Sequence, residues 1–405
     1  MPKNSFRELA AGAGLRDREK LTERHSDIPD RPDDIRSAYA RDETRILHCR
    51  AFRRLKHKTQ VFPNIENDHI CTRMEHVLHV ASVTGTISDY LGLDRDLTRA
   101  IALGHDIGHA PFGHEGEKLL NQLSQKKLGE PFRHESNGLR FADKIELLEN
   151  FDGTFNNLGL TYAVRDGIVC HTGEAEYRPL RPREELGDLE EIADDPDAGS
   201  AEPATWEACV VKISDKIAYL GRDIEDAKAL GFLDTGELAE LTEMARETGR
   251  GAINTTMIMH ELISDICRNS DPDAGIRLSD SAAENMSRLT DFNYSHIYND
   301  SRLRPYSRFA HSVIAEIYNM LIQFYAGAET IDALRAVKRD YPVVVGEFIN
   351  SLRRCSAIDS PVEYRNEKIY GTLSSQETYM RAIVDFISGM TDRYSVRAYE
   401  ELLKY

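Results

Sequence analysis

Apolar residues recur at helical spacing along nearly the whole chain, and strand-like alternation is almost absent. Val80, Val83, Ile87 and Leu91 follow one another at steps of three or four residues. Other stripes of this kind comprise Leu97, Ile101 and His105, then Leu160, Val164, Ile168 and His171, and then Val210, Ile213, Ile217, Leu220 and Ile224. The last stripe predicts a helix over about residues 205–229. We therefore expect an all-α fold with at most one short hairpin, at the turn-rich segment 151–157.

The length of 405 residues permits a large core and would allow two or three domains. The chain has no internal repeats and no Pro/Gly/Ser-rich linker, so we expect one large helical unit. Its predicted parts are an N-terminal arm over residues 1–38, a core over 39–235, and a C-terminal helical region over 236–405 that packs on the core. The acidic segment 183–203 is expected to be an exposed connector, with a gate over a pocket as the alternative.

Composition narrows the cellular setting and the partners. The first eight residues contain no apolar run, and no stretch approaches the ~20 apolar residues that a membrane helix needs. The six cysteines have no CxxC spacing, which is typical of reduced thiols in a cytoplasmic protein. A net charge of −17 argues against an extensive nucleic-acid surface. We expect a cytoplasmic protein without membrane contact.

The densest group of chemically capable side chains is His105, Asp106, His109, His114 and Glu117, which fall within thirteen residues. A packed core does not favour such a set, because buried charges must be paired or bound to a metal. Clusters of histidine and carboxylate therefore indicate a metal or catalytic site.

Two further residues complete a recognisable order. His76 lies upstream on the first apolar stripe and Asp215 lies far downstream, which gives the order His…His-Asp…Asp. This order resembles the HD metal-dependent phosphohydrolases. Two imidazoles from His76 and His105 and two carboxylates from Asp106 and Asp215 suit one divalent ion. Mn²⁺, Fe²⁺, Co²⁺, Ni²⁺ or Zn²⁺ fits this set; Mg²⁺ prefers more oxygen ligands but remains open.

Four segments narrow the resemblance, and they are Arg50–Phe62 (RAFRRLKHKTQVF), His105–Glu117, Phe132–Glu135 and Ile213–Asp226. In this order they resemble the deoxynucleoside triphosphate triphosphohydrolase, or dGTPase, family over about residues 39–232. The resemblance implies an HD-domain helical core and metal-dependent hydrolysis of a deoxynucleoside triphosphate to deoxynucleoside and inorganic triphosphate. It also implies a homo-oligomer and leaves open a second nucleotide that acts as activator.

The resemblance assigns roles to individual residues. His114 and Glu117 would form an acid–base dyad, since residues three apart share one helix face, and His109 and His134 would line the phosphate path. Substrate contacts would come from Arg54, Gln60, Val61, Arg73, Lys216, Tyr219 and Asp223. Among these, Gln60 would bond the 3′-hydroxyl, and Tyr219 would pack under C2′ of the sugar.

Three readings stay open at this point. The first is the deoxynucleotide hydrolase, the second is another HD nucleotidase or phosphodiesterase, and the third is a nucleotide-sensing regulator without chemistry. After His134 the chain has Glu135-Ser136-Asn137, which departs from the resembling family and leaves open which groups position the attacking water. Base preference cannot be derived from any motif beyond residue 240.

Overall fold

The computed structural model describes residues 3–11, 18–29, 33–62, 67–173, 178–195, 201–247 and 254–404. Within these ranges almost all regular secondary structure is helical, as the apolar spacing predicts. The helices are α1 (Arg18–Thr22), α2 (Ala38–His48), α3 (Arg50–Arg54), α4 (Arg73–Leu91), α5 (Arg95–Gly104), α6 (Gly113–Leu128), α7 (His134–Arg140), α8 (Tyr162–Val169), α9 (Leu189–Asp194), α10 (Trp206–Ala229), α11 (Thr235–Glu247), α12 (Thr255–Asn269), α13 (Asp280–Asn293), α14 (Arg304–Ile322), α15 (Thr330–Val337), α16 (Val344–Cys355), α17 (Gln376–Ser388) and α18 (Asp392–Leu402).

The two short strands form the predicted hairpin. Strand β1 (Leu148–Glu149) pairs antiparallel with β2 (Phe155–Asn156). Gly153 lies in the connecting turn with a φ of 78°, a conformation that glycine adopts without strain. The turn signals of segment 151–157 therefore located the only sheet in the described part of the chain.

Helices α4, α5 and α10 pack together and form the frame of the HD region. A capping box between Thr72 and Glu75 starts α4, and Gly92, with a φ of 84°, ends it. Thr205 caps α10, so the helix starts at Trp206, one residue after the predicted boundary. The predicted stripe from Val210 to Ile224 is buried, with each of its residues at most 1% exposed. Burial of this apolar face orients α10 so that its polar residues Asp215, Tyr219 and Asp223 face a neighbouring cavity.

The C-terminal helices pack against the HD region through a shared apolar cluster. Ala110, Phe112 and Leu120 from the first half belong to one buried cluster with side chains of α14, α16 and α17. The division of the chain at residues 38 and 235 stays a prediction, because it rests on the sequence alone.

The acidic segment is more ordered than a connector is expected to be. Its residues Leu189–Asp194 form α9, where Asp188 accepts hydrogen bonds from two backbone N–H groups of the first turn. Leu189 and Ala193, which are four residues apart, are buried on one side of this helix. Residues 196–200 of the segment lie outside the described residues.

Candidate metal centre and catalytic pocket

The four predicted ligands lie at the meeting point of α4, α5 and α10. His76 belongs to the first turns of α4, and His105 and Asp106 follow the last residue of α5. The Nδ1 atom of His105 lies 2.7 Å from the carbonyl oxygen of Ala102, so this ring presents its Nε2 atom to the centre. The end of α5 thereby sets the orientation of the imidazole.

The ligand atoms lie close together. The distance from His76 Nε2 to Asp215 Oδ1 is 2.8 Å, and His105 Nε2 lies 3.5 Å from Asp106 Oδ1 and 3.7 Å from Asp215 Oδ1. His76, His105 and Asp106 together can offer one ligand atom each within 4.8 Å of one another. The structure thus brings together the four residues that the order His…His-Asp…Asp singles out.

The centre fits a divalent ion. His105 Nε2 is buried and has no hydrogen-bond partner among the described residues, so a lone pair points into the cluster without a partner. Burial alone would raise the pKa of Asp215, but His76 and His105 outweigh it and hold that pKa well below the usual range. Two imidazoles with an ionised carboxylate at their centre match the ligand preferences of divalent transition metals.

Arg73 contacts the cluster of predicted ligands through Asp106. Its Nη1 atom donates to Asp106 Oδ2 over 2.9 Å, and its side chain is almost fully buried. An arginine that bonds a ligating carboxylate fixes the orientation of that carboxylate. Arg73, for which a substrate contact is predicted, therefore contacts the predicted ligand Asp106 in this structure.

A pair of stacked histidines extends from the centre towards α6. The rings of His109 and His134 stack with centroids 3.9 Å apart, and His109 Nε2 lies 2.9 Å from Asp106 Oδ1. The backbone permits this approach because residue 108 is glycine. A Cβ atom at Gly108 would lie 2.1 Å from the carbonyl oxygen of His134.

Glu117 lies between two histidines. Its Oε1 atom is 3.0 Å from His134 Nδ1 and accepts the backbone N–H of His134 at 2.8 Å, whereas its Oε2 atom is 3.9 Å from His114 Nδ1. The His114 side chain is 82% exposed and that of His134 only 12%. The predicted dyad of His114 and Glu117 shares a helix face, but the shorter contact of this carboxylate is with His134.

The carboxylates also control the charge of His134. Burial would lower the pKa of His134, but Glu117 and Glu135 outweigh it and raise this pKa to about 10. The imidazole next to the metal centre is thus protonated at neutral pH, as a general acid must be.

A cavity of about 660 Å³ opens beside the metal centre. Seven of the predicted site residues line it, namely Gln60, Val61, His114, Asp215, Lys216, Tyr219 and Asp223. Among these, Asp215 is also one of the four predicted ligands. Arg54 is not brought to this cavity. It pairs with Glu146 at 2.6 Å and borders a separate cavity of about 410 Å³.

The C-terminal half contributes three tyrosines to the lining of this cavity, and the sequence did not predict them. Tyr294, Tyr298 and Tyr306 line the cavity together with residues of α10. The hydroxyl of Tyr298 donates to Asp223 Oδ2 over 2.6 Å, and burial raises the pKa of Asp223 to about 7. The sequence offers only the four-residue spacing of Tyr294 and Tyr298, in a stretch that also contains the apolar Phe292 and Ile297, and this spacing does not distinguish a cavity lining from a core. His171, which was left without a role, also lines this cavity.

Two protein-family models match parts of the chain. The HD domain family matches residues 73–220, and the phosphohydrolase-associated domain family matches residues 362–401. A deoxyguanosinetriphosphate triphosphohydrolase-like protein of Caldanaerobacter subterraneus subsp. tengcongensis is 34% identical over 91% of this chain and 86% of its own length. The chain belongs to the dGTPase-like family of HD-domain proteins.

Two further relatives carry the same printed name. The protein of Rickettsia felis is 30% identical over 92% of this chain and 93% of its own length. That of Nitrosomonas europaea is 30% identical over 91% of both chains. Family membership establishes a metal-dependent phosphohydrolase, and the histidine and carboxylate clusters provide groups that can hold the metal.

No helix in the described ranges is both long enough and apolar enough to cross a membrane.

Proposed function

We propose that this protein hydrolyses deoxynucleoside triphosphates to deoxynucleoside and inorganic triphosphate. One arrangement carries the proposal. Asp215, Tyr219 and Asp223 follow one another along one face of α10, from the metal centre into the large cavity. A nucleotide whose α-phosphate reaches Asp215 would lay its sugar against Tyr219. The printed names of the relatives support the same substrate class.

His76, His105, Asp106 and Asp215 would hold one divalent ion. When bound, it would supply a Lewis acid that stabilises negative charge on a phosphoryl oxygen. The protein's own groups do the remaining work. Arg73 keeps Asp106 in position, and Lys216 lines the cavity next to Asp215, where its ammonium group would contact the phosphate chain.

We assign the proton transfer to the histidine that Glu117 orients most closely. Water attacks the α-phosphorus, the bond from phosphorus to O5′ breaks, and the leaving O5′ takes a proton. His134 is held by Glu117 at 3.0 Å and is protonated at neutral pH, so it suits this step best. His114 lies at the cavity mouth, and the spacing-based assignment of the acid to His114 stays the competing prediction.

Sugar selection is assigned to Tyr219 and Gln60. Tyr219 is half-buried beside Asp215, where its ring would pack under C2′ and leave no room for a 2′-hydroxyl. The Oε1 atom of Gln60 is buried and lacks a hydrogen-bond partner within the described ranges. An acceptor of this kind, in a residue that lines the cavity, would pair with the 3′-hydroxyl.

Product analysis in ¹⁸O-labelled water tests the proposal. Purified protein with Mn²⁺ is incubated with each deoxynucleoside triphosphate and its ribonucleotide counterpart, with Asp106→Ala as control. We expect intact triphosphate that carries the label and an unlabelled deoxynucleoside. Pyrophosphate with a nucleoside monophosphate would contradict the proposal.

A second candidate is a two-metal HD phosphohydrolase. Asp106, His134 and His171 also offer ligand atoms within 4.8 Å of one another, which is more donor groups than one ion needs. Two equivalents of metal per chain, together with hydrolysis of phosphodiesters, would favour this candidate. Assembly into a homo-oligomer and a cytoplasmic location are further parts of this proposal, and activation by a second deoxynucleotide stays open.

A further inference from the structure

The carboxylate of Asp392 joins two loops of the catalytic pocket. Its Oδ2 atom accepts the backbone N–H of Thr59 at 3.0 Å, and its Oδ1 atom accepts that of Phe112 at 2.8 Å. Thr59 and Phe112 belong to the N-terminal half of the chain, whereas Asp392 is the first residue of α18 near the C-terminus. One side chain thus holds together segments that are distant in sequence.

Each of these loops carries a residue of the proposed reaction. Thr59 immediately precedes Gln60, which lines the cavity and is assigned to the sugar. Phe112 immediately precedes α6, which presents His114 and Glu117. A displacement at either backbone N–H would therefore be transmitted to a group that contacts the substrate.

The turn at Phe112 needs an external support. Phe112 has a φ of 65° and a ψ of 22°, the left-handed region that residues with a Cβ atom avoid. The side chain of Phe112 is buried against the C-terminal helices, and its ring meets that of Tyr306 with centroids 5.9 Å apart. The hydrogen bond to Asp392 and this packing together hold the strained turn.

A buried lysine makes a parallel connection. Lys58, which precedes Thr59, is only 2% exposed. Its Nζ atom donates to the carbonyl oxygen of His109 and, over 3.1 Å, to that of Ser388 at the end of α17. Two adjacent residues of one loop are thus bonded to the α17–α18 junction, which lies inside the matched phosphohydrolase-associated region.

We propose that Asp392 is a positioning residue that aligns the sugar-binding loop at Gln60 with the acid–base residues on α6. The phosphohydrolase-associated region would thereby act on catalysis although its helices contribute no metal ligand to the centre described above. This inference deepens the proposed function and rests on it for the roles of Gln60 and Glu117.

The variant Asp392→Asn tests the proposal. An amide has one acceptor oxygen, so it can accept only one of the two N–H groups and turns its own N–H₂ towards the other. Because small misplacements of reacting groups can cost about 10²-fold, we expect kcat/KM to fall by roughly 10- to 100-fold. KM for the best nucleotide should rise while kcat falls, and the metal content should stay complete.

The same helix offers a matched control. Glu401 on α18 accepts the backbone N–H groups of Val343 and Val344, each at 2.9 Å. Val343 and Val344 do not line the catalytic cavity. The variant Glu401→Gln removes the same kind of bond, so its thermal stability should fall about as far as that of Asp392→Asn. A purely structural effect lowers the folded fraction and hence the apparent kcat, but it leaves KM unchanged, which is the result expected for Glu401→Gln.

Amide hydrogen exchange provides a readout that does not depend on the substrate. In Asp392→Asn, exchange should accelerate over residues 58–61 and 109–114, and in Glu401→Gln these segments should keep wild-type protection. If wild type hydrolyses no deoxynucleotide, the proposed function fails. Amide hydrogen exchange still tests whether Asp392 holds the two loops in place. Wild-type protection of both segments in Asp392→Asn, or equal kinetic losses in the two variants, would overturn the inference.

Discussion

His76 Nε2 lies 2.8 Å from Asp215 Oδ1, so the first turns of α4 and the middle of α10 meet at a histidine–carboxylate contact. His105 Nε2 points at the same carboxylate oxygen from 3.7 Å. This convergence from three helices is the geometric basis of the metal centre, because a ligand set needs its donor atoms on one small sphere.

We expect that His76→Ala and Asp106→Ala each lose most of the bound metal and nearly all turnover. Each variant removes one donor from a set of four, and the remaining groups cannot replace it. Elemental analysis of purified protein gives the metal content per chain. His79→Ala is the control, since His79 lies on α4 less than one turn away and should leave the metal in place. Full metal and turnover in both ligand variants would refute the centre.

We expect His134→Ala to lower kcat by about 10²–10⁴-fold, the usual contribution of general acid catalysis. His114→Ala should cost less, since His114 is largely exposed and 3.9 Å from Glu117. Steady-state kinetics on the best substrate, with metal content measured in parallel, compares the two. A larger loss in His114→Ala would assign the acid to His114 instead.

We expect Glu117→Gln to shift the alkaline limb of the pH–kcat profile to lower pH. Although burial lowers the pKa of His134, Glu117 is the largest of the effects that raise it to about 10. Loss of that carboxylate lets the imidazole release its proton at lower pH, so the acid form disappears earlier. An unchanged alkaline limb would show that His134 does not donate the proton.

Tyr219→Ala should narrow the preference for dGTP over GTP. Overpacking of a hydroxyl against a rigid ring costs roughly 1–3 kcal/mol, which is about 5- to 150-fold in kcat/KM. Gln60→Ala should weaken both nucleotides alike, because both carry a 3′-hydroxyl. The measurement is kcat/KM for each nucleotide in wild type and both variants. Equal turnover of GTP and dGTP by wild type would favour a general nucleotidase.

The dependence of thermal stability on pH should show that the buried side chain of Glu207 stays protonated up to about pH 7. Its Oε1 atom accepts the N–H groups of Ala11 and Asp94, its side chain is inaccessible to solvent, and burial raises its pKa to about 7. A carboxyl group whose pKa is higher in the folded than in the unfolded protein stabilises the folded state while it is protonated. This contribution to the free energy of unfolding is complete below the unfolded pKa near 4.5 and is lost as the pH rises towards 7. Between about pH 5 and pH 8 the loss should be on the order of 3 kcal/mol.

The variant Glu207→Gln has no such titration, so its melting temperature should fall less over this pH interval than that of wild type. Thermal unfolding of both proteins across the interval gives the comparison. Parallel pH profiles would mean that Glu207 is ionised in the folded protein.

Much of the frame could be read from the sequence because its signals are local. Apolar residues every three or four positions define a buried helix face whatever that face packs against, so the stripe from Val210 to Ile224 and the bounds of α10 were predictable. Capping residues such as Thr72 and Gly92 mark helix ends through bonds within one turn. The order His…His-Asp…Asp predicted a ligand set whose four side chains lie close together in the structure.

Contacts between distant segments were decided by the tertiary structure alone. Helical spacing placed Glu117 on the same face as His114, but only the tertiary fold brings His134, the first residue of α7, within 3.0 Å of it. The family resemblance predicted a substrate contact for Arg54, and the fold instead pairs it with Glu146. Tyr298 and Asp392 reach the pocket from the C-terminal half of the chain. No local sequence pattern there indicates that they bond Asp223 and the backbone of Phe112. Spacing along a helix sets which side chains share a face, whereas their partners depend on how whole helices dock, and that is determined by the combined packing of many buried side chains.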